Sequence, residues 1–172
     1  MAEETTAGIP APGSQTGERI VAVLGSMALP SGFMGMSRKQ YTLVFTDRRA
    51  IFAQLTSAML KAVIAEARSE AKDAGGGFLK QWGAQIGASM SYAKRYWEMA
   101  PEAVLAENAG NFALAKGEIR DVRYKQGMIG DDTTNNSPDM VIIKTASDKY
   151  KLEVQGATLA TAREAFGRAG IG

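Results

Sequence analysis

The stretch YTLVFTDRRAIFAQL, from Tyr41 to Leu55, predicts two β-strands joined by a turn at residues 46–49. In both halves, aromatic and β-branched residues recur at every second position, which is typical of strands, and the Asp-led polar break between them is typical of a hairpin. Apolar side chains also fill the intervening positions, and we assign Val44 and Phe52 to this second, outer face. A hairpin that is apolar on both faces is predicted to be covered on both sides, so another part of the chain must supply the second cover.

The composition of the chain limits the number of domains it can form and the kinds of chemical site it can contain. With 172 residues, 45% of them apolar, the chain is long enough for one domain, or for one domain with a sizeable insertion. Charged residues make up 22% and the formal net charge is +2, which excludes disorder over the whole chain and argues against a dedicated nucleic-acid binder. Cysteine and histidine are both absent, so disulfides, thiol nucleophiles, cysteine-based metal sites and histidine bases are excluded.

The N-terminal residues 1–17 contain two acidic residues, no basic residue and no apolar run of the length that a signal peptide needs. We therefore expect a flexible tail. No later run approaches the roughly 18–20 apolar residues of a membrane span. Together with the absence of cysteine, these observations predict a cytoplasmic protein.

The remaining elements follow from hydrophobic spacing. A first strand is expected over residues 18–29, ended by Pro30. Steps of three and four between apolar residues then predict a helical insertion over residues 56–110, with Thr56 or Ser57 as its N-cap. Its parts are a helix to residue 74, a second over residues 78–99 and a short one from Pro101. Later strands are expected at residues 112–115, 119–126, 140–145 and 148–155, followed by a C-terminal helix after Gly156.

Two segments resemble a known family. The residues YTLVFTDRRAIF (41–52) and, later, GEIRDVRY (117–124) resemble prokaryotic PH-like and GRAM-like domains, which carry a similar aromatic-rich hairpin with a T-D/N-x-R turn. The resemblance implies an α+β fold: a PH-like seven-stranded antiparallel barrel over residues 18–172, capped by a C-terminal helix. The helical hairpin inserted between strands 3 and 4 would then be the second cover of the central hairpin.

The chain offers no recognisable catalytic constellation. Neither glycine-rich phosphate-binding pattern is present, and triads that need histidine or cysteine are excluded. Asp131, Asp132 and Asp139 could form a loop for a hard cation, but they lack the spacing and central glycine of an EF-hand, so a solvated loop is favoured. We therefore expect no catalytic residue, no cofactor, no metal and no nucleic acid, and a non-enzymatic binding or scaffold module.

The first function hypothesis is protein–protein interaction or self-association. Tyr92 and Tyr96 are candidate interface anchors, because they lie on a helical face beside the core-facing stripe predicted to contain Trp82 and Trp97. Packing of the tyrosines against the barrel is the alternative.

Two further features bear on this first hypothesis. Arg48 and Arg49 at the hairpin turn are candidates for binding an acidic partner, with a solvated turn or a structural salt bridge as the alternative. An edge strand of the barrel is a further candidate, because it can accept an extended peptide.

The second hypothesis is peripheral binding to anionic membrane lipid through the loop between strands 1 and 2. In the lipid-binding domains that the chain resembles, this loop supplies basic residues and sometimes apolar ones. The corresponding residues here are Phe33, Met34, Met36, Arg38 and Lys39. Each basic residue contributes about 1 kcal/mol at an anionic surface, which is too weak alone for stable attachment. The alternative has the apolar residues folded back onto the inserted helices or a neighbouring chain.

Overall fold

The computed structural model describes residues 17–31, 36–59, 61–62, 65, 92–128 and 136–172. These residues form an α+β structure, with seven antiparallel strands and a C-terminal helix. The strands are β1 (Ile20–Ser31), β2 (Ser37–Thr46), β3 (Arg49–Leu55), β4 (Phe112–Ala115), β5 (Asp121–Lys125), β6 (Met140–Lys144) and β7 (Lys149–Val154). Two helices lie wholly within the described residues, α1 (Pro101–Ala106) and α2 (Leu159–Arg168), with 3₁₀ turns at Arg95–Glu98 and Lys116–Glu118. Residues 57–59, 61–62, 65 and 92–94 are also helical. The predicted tail up to residue 16, the loop residues Phe33 and Met34, and most of the predicted helical hairpin, including Trp82, lie outside the described residues.

The strands form a single open sheet in the order β4-β3-β2-β1-β7-β6-β5. The first and last parts of the chain join where β1 pairs with β7, with Met27 opposite Val154 and Ala28 opposite Glu153. Neighbouring strands are antiparallel throughout the order, as predicted. β4 and β5 stand at the two ends of the sheet, so each has one edge that no described strand pairs with.

Strand β1 is longer than its sequence predicts. It continues through Pro30 to Ser31, so the prediction that Pro30 ends the strand is wrong. Pro30 lies opposite Arg38 of β2, beyond the point where β1 pairs with β7, and a proline is tolerated where one edge of a strand is free.

A bulge interrupts β1 at Ser26, whose φ of 57° lies in the left-handed region. The carbonyl of Ser26 accepts hydrogen bonds from the backbone N–H groups of Gln155 and Gly156. A Cβ on Gly156 would stand 2.6 Å from the Cβ of Ser26, so glycine is required for this close approach.

The main core lies on the inner side of the sheet, where α2 packs across it. Phe166 of α2 meets Phe45 of β2 edge-to-face, with ring centroids 4.6 Å apart. The hydroxyl of Thr158 caps α2 by accepting a hydrogen bond from the Thr161 N–H. The inner core also contains Leu24, Met27, Tyr41, Leu43, Phe52, Val141, Ile143, Leu152 and Val154. Because Phe45 and Leu152 share this core, both ends of the chain contribute to one folded unit.

A second, smaller core covers the outer side of β2 and β3. Val44, Ile51 and Ala53 pack there against Tyr96 and Val104, which come from the segment between β3 and β4. The hairpin is therefore buried on both sides, as its sequence predicts. Phe52, however, belongs to the inner core, because it pairs with Leu43, whereas Val44 pairs with Ile51. Its assignment to the outer face was wrong.

The same segment corrects the predicted helical faces. Tyr96 is fully buried, whereas Trp97, predicted to face the core, is 49% exposed. The reason is local: Arg95–Glu98 forms a 3₁₀ turn with about three residues per turn, which shifts the side chains out of phase with the expected α-helix.

Candidate functional site

The outer side of β5, β6 and β7 carries a set of exposed and half-exposed side chains that alternate with core residues. Val122 and Tyr124, for example, pack against the inner core, and successive side chains of a strand point to opposite faces, so their neighbours face outward. We call this set the outer basic face. Its residues are Asp121, Arg123 and Lys125 of β5, Met140, Ile142 and Lys144 of β6, and Lys149, Lys151 and Glu153 of β7.

Strand register arranges these side chains in three rows across the sheet. The rows are Asp121–Lys144–Lys149, Arg123–Ile142–Lys151 and Lys125–Met140–Glu153. Arg38 of β2 joins the third row, because its Nε lies 2.9 Å from Oε2 of Glu153. Arg38 included, the face holds six cationic side chains and two carboxylates, a local excess of positive charge larger than the net +2 of the whole chain.

The two carboxylates of the face are already engaged. Asp121 lies 2.6 Å from Arg123 and 3.8 Å from Lys144. Within the described part of the chain, no ion pair involves Lys125, Lys149 or Lys151, and all three are exposed. The unneutralised charge of the face therefore belongs to these lysines.

Two open clefts lie near the ends of the sheet. One, of about 370 Å³, lies between β4 and the β6–β7 turn and is lined by Glu118, Arg120, Asp148 and Tyr150 among others. Burial, and then the charges of Asp148 and Glu118, raise the pKa of Tyr150. This cleft is therefore mixed in charge.

The second cleft, of about 480 Å³, lies beside the end of β5. Its walls are Tyr124, Gln126, Asp139, Leu159 and Arg163. The guanidinium of Arg163 stands 5.1 Å from the ring centroid of Tyr124. Burial raises the pKa of Tyr124, although the charge of Arg163 acts in the opposite direction.

Of the residues assigned to the loop between strands 1 and 2, Met36 lies before β2, whereas Arg38 and Lys39 belong to β2 itself, so their assignment to the loop was wrong. Met36 is 83% exposed, and Arg38 and Lys39 are also exposed. Arg38 is engaged by Glu153, whereas no ion pair among the described residues involves Lys39. The other two residues of the lipid hypothesis, Phe33 and Met34, lie outside the described residues.

The two arginines of the hairpin turn have different surroundings. Arg48 is exposed, whereas Arg49 donates from Nε and Nη2 to the two carboxylate oxygens of Glu18, both at 2.9 Å, and from Nη2 to Glu102 at 2.8 Å. Burial lowers the pKa of Arg49, but the hydrogen bond and charge of Glu18, followed by those of Glu102, raise it more. Arg49 thus forms the structural salt bridge that the sequence left as an alternative to partner binding.

Tyr92 and Tyr96 belong to one cluster with Arg95 and Glu107. The hydroxyl of Tyr96 donates to Glu107 at 2.9 Å, and the Arg95 guanidinium binds both Glu107 and the Tyr92 hydroxyl. Burial, and then the hydrogen bond and charge of Glu107, raise the pKa of Tyr96 well above its ordinary value. A fully buried Tyr96 cannot contact a partner in the folded protein, so we correct its assignment as an anchor. Tyr92 is half-buried.

Only part of the candidate cation loop lies within the described residues. Asp131 and Asp132 lie outside the described residues, and Oδ1 of Asp139 accepts a hydrogen bond from the Gly127 N–H at 2.7 Å. Among the residues that are described, no group of three or more acidic side chains could hold a metal ion.

The sequence-based predictions missed the outer basic face. A net charge of +2 conceals it, because acidic residues elsewhere balance the total. The alternation of KYKLEV (149–154) and DVRYK (121–125) gave a signal for each strand separately. Only the register places these strands on either side of β6.

No family model and no curated protein match the chain. One solved structure, the C-terminal domain of an unknown protein from Leishmania infantum, is similar at 12% sequence identity over 89% of this chain and 85% of that one, with a TM-score of 0.45. In the described ranges, no helix has the length and apolar character that crossing a membrane requires.

Proposed function

We propose that the chain is a non-enzymatic binding module of PH-like fold that takes an extended segment of a protein partner at the free edge of β5. The order of the seven strands and the packing of α2 on the inner side support the PH-like assignment, together with the resemblance of residues 41–52 and 117–124. We further propose that residues 56–110 form an insertion, since Tyr96 and Val104 from this region cover the outer side of the central hairpin. The lack of histidine and cysteine supports a binding role, and the lack of cysteine supports a cytoplasmic location.

The observation that carries this function is the position of β5 at the end of the sheet. One edge of Asp121–Lys125 pairs with β6, and no described strand pairs with the other. A free edge offers backbone N–H and C=O groups to an incoming strand, and nearby pockets give selectivity for its side chains. The cleft between Tyr124 and Leu159 lies at this end of β5 and is large enough for one side chain.

A peptide-display selection with the whole chain as bait would test strand addition. Selected peptides are expected to slow hydrogen exchange of outward-facing β5 amides and to leave β4 amides unchanged. Val122→Pro removes an N–H that faces the free edge, since the backbone groups of residues 121 and 123 on either side pair with β6, and it is expected to abolish binding. The matched Val122→Ala is expected to retain binding.

The exchange measurement keeps the test valid even if Val122→Pro does not fold. Selected peptides that protect amides elsewhere would contradict the proposal, and so would a selection that yields no binder. Self-pairing of the chain at β5, visible by light scattering and by the same amide protection, would identify the partner segment as a second copy.

Anionic lipid is a second candidate, favoured by the 83% exposure of Met36 and by the exposed Lys39. Co-sedimentation with phosphatidylserine-containing vesicles is expected to be weak, salt-sensitive and reduced in Met36→Ser plus Lys39→Ser. The control is Met128→Ser, which removes a methionine that is 68% exposed elsewhere. Binding that the control reduces equally would be nonspecific and would exclude this candidate.

A further inference from the structure

The outer basic face has a feature that the stability of the fold does not require. Lys144 and Lys149 stand directly opposite each other on adjacent strands, and like charges in such pairs are destabilising. The compensating carboxylate, Asp121, lies 3.8 Å from Lys144 and is shared with Arg123. Natural proteins retain locally unfavourable arrangements of this kind mainly at functional sites.

The middle of the face is apolar and recessed. Met140 and Ile142 of β6 are half-buried, and the long side chains of neighbouring strands stand on either side of them. Ile142 lies between Arg123 and Lys151 in one row. The face therefore consists of an apolar strip along β6 with cationic side chains along both margins.

We propose that the outer basic face binds an acidic amphipathic segment of a partner protein. Apolar side chains of the segment would contact Met140 and Ile142, and carboxylates along its two margins would pair with cations of β5 and β7. Five residues of β6 span about 16 Å, which corresponds to roughly 11 residues of an α-helix. An apolar centre with a charged rim is the usual anatomy of a protein–protein interface.

Two other anionic partners, single-stranded nucleic acid and a lipid bilayer, fit the face less well. Single-stranded nucleic acid is usually held by bases stacked on aromatic rings, and none of the nine side chains of this face is aromatic. A bilayer takes up apolar residues that project beyond the basic ones, whereas Met140 and Ile142 are recessed between them.

This inference is independent of strand addition at β5. Lys149 and Lys151 lie on β7, which β6 separates from the free edge of β5. Reversal of these two charges should leave the backbone edge intact, so each proposal can fail without the other.

The test uses a synthetic peptide of about 14 residues, with leucine at helical a and d positions and glutamate elsewhere, titrated into the whole chain. Backbone amide shifts are expected to change along β6 and β7, and binding is expected to weaken as salt increases. Lys149→Glu plus Lys151→Glu should weaken binding about tenfold or more, and Ile142→Ser should weaken it at all salt concentrations. The matched control is Lys61→Glu plus Lys94→Glu, which changes the net charge equally at two exposed lysines elsewhere and should alter affinity less than about twofold.

Several results would overturn the inference. One is equal binding of a peptide in which glutamine replaces glutamate, because carboxylates would then be unnecessary. Another is an equal effect of the two double variants. A third is that phosphatidylserine vesicles or a single-stranded oligonucleotide bind more tightly than the acidic peptide, and that Lys149→Glu plus Lys151→Glu abolishes this binding. The partner would then be lipid or nucleic acid.

Discussion

The outer side of this one sheet has two halves that differ in what lies on them. Over β2 and β3, Ile51 and its neighbours are covered by Tyr96 and Val104. Over β5 to β7, Ile142 is half-buried among exposed lysines and arginines. The two isoleucines occupy equivalent outward positions on their strands, and their surroundings differ because the described residues of the segment between β3 and β4 pack on the first half.

The difference separates the part of the sheet that stabilises the fold from the part for which we propose a binding role. The covered half adds a second core to the hairpin and so stabilises the fold. The uncovered half keeps its charges in water, where most ion pairs contribute little to stability. Surface that contributes little to folding is free to serve binding, which is the role that we propose for the outer basic face.

The largest expected effect comes from substituting the two isoleucines. Ile51→Ala should lower the free energy of unfolding by about 2–5 kcal/mol, because it leaves a cavity in a fully buried site. Ile142→Ala should cost less than about 1 kcal/mol, since half-exposed side chains leave no enclosed cavity. Urea unfolding followed by circular dichroism gives both values. A similar loss for both variants would mean that the basic face is covered in solution, and the contrast between the halves would be withdrawn.

Much of the fold could be predicted from the sequence, because it is encoded in local alternation. The central hairpin and the one-sided strand β7 are both visible as residues that repeat with a period of two. The strand expected over residues 119–126 is shorter, as β5 begins at Asp121, after a 3₁₀ turn at Lys116–Glu118, and ends at Lys125. Such patterns predict the wrong face where the helical repeat changes, as at Arg95–Glu98, which forms a 3₁₀ turn instead of the expected α-helix.

The candidate site was harder to predict for a different reason. Its cations come from strands that are distant in the sequence, and they meet only after β5 pairs with β6 and β7 with β6. Periodicity within a strand gives the face on which a side chain lies, but not the strand beside it. The single arginine motif that the sequence did suggest, Arg48–Arg49, is partly used for internal pairing with Glu18.

A smaller effect is expected from two ion pairs, Arg49–Glu18 beside the covered half and Arg38–Glu153 on the outer basic face. Arg49→Met should lower the free energy of unfolding by about 3 kcal/mol, because the Glu18 carboxylate, only 4% exposed, would keep the Thr46 hydroxyl as its remaining partner. Arg38→Met should cost about 0–1 kcal/mol, because the Arg38 side chain is 54% exposed. Thermal and urea unfolding measure both.

The control for this comparison removes both charges of the Arg49–Glu18 pair. Arg49→Met combined with Glu18→Gln should recover part of the loss, since no uncompensated buried charge remains. If the double variant were no more stable than Arg49→Met alone, the loss would come from side-chain packing instead of the charge pair.

The smallest effect concerns the Tyr96 hydroxyl, which lies in the covering segment itself. At pH 8, Tyr96→Phe should cost about 1.5 kcal/mol, the contribution of a buried hydrogen bond to the charged Glu107. Burial and Glu107 raise the pKa of Tyr96 above its ordinary value of 10.0, so the folded state holds this proton more tightly than the unfolded state. Its contribution to stability is therefore complete below pH 10 and is lost as the pH rises further.

The pH dependence gives a second test of the Tyr96 prediction, besides the stability difference at pH 8. Between pH 8 and pH 11, the free energy of unfolding of the wild type should fall by about 1.4 kcal/mol more than that of Tyr96→Phe. The reason is that one proton contributes about 1.4 kcal/mol for each pH unit above the pKa of the unfolded state, and pH 11 is one unit above it. Lysine titration affects both proteins alike and cancels in the difference. Tyr92→Phe is the control, since its tyrosine is half-buried and should give a smaller difference. Parallel pH profiles for wild type and Tyr96→Phe would mean that the Tyr96 hydroxyl meets water in solution, and the outer side over β2 and β3 would then be less completely covered than the structure shows.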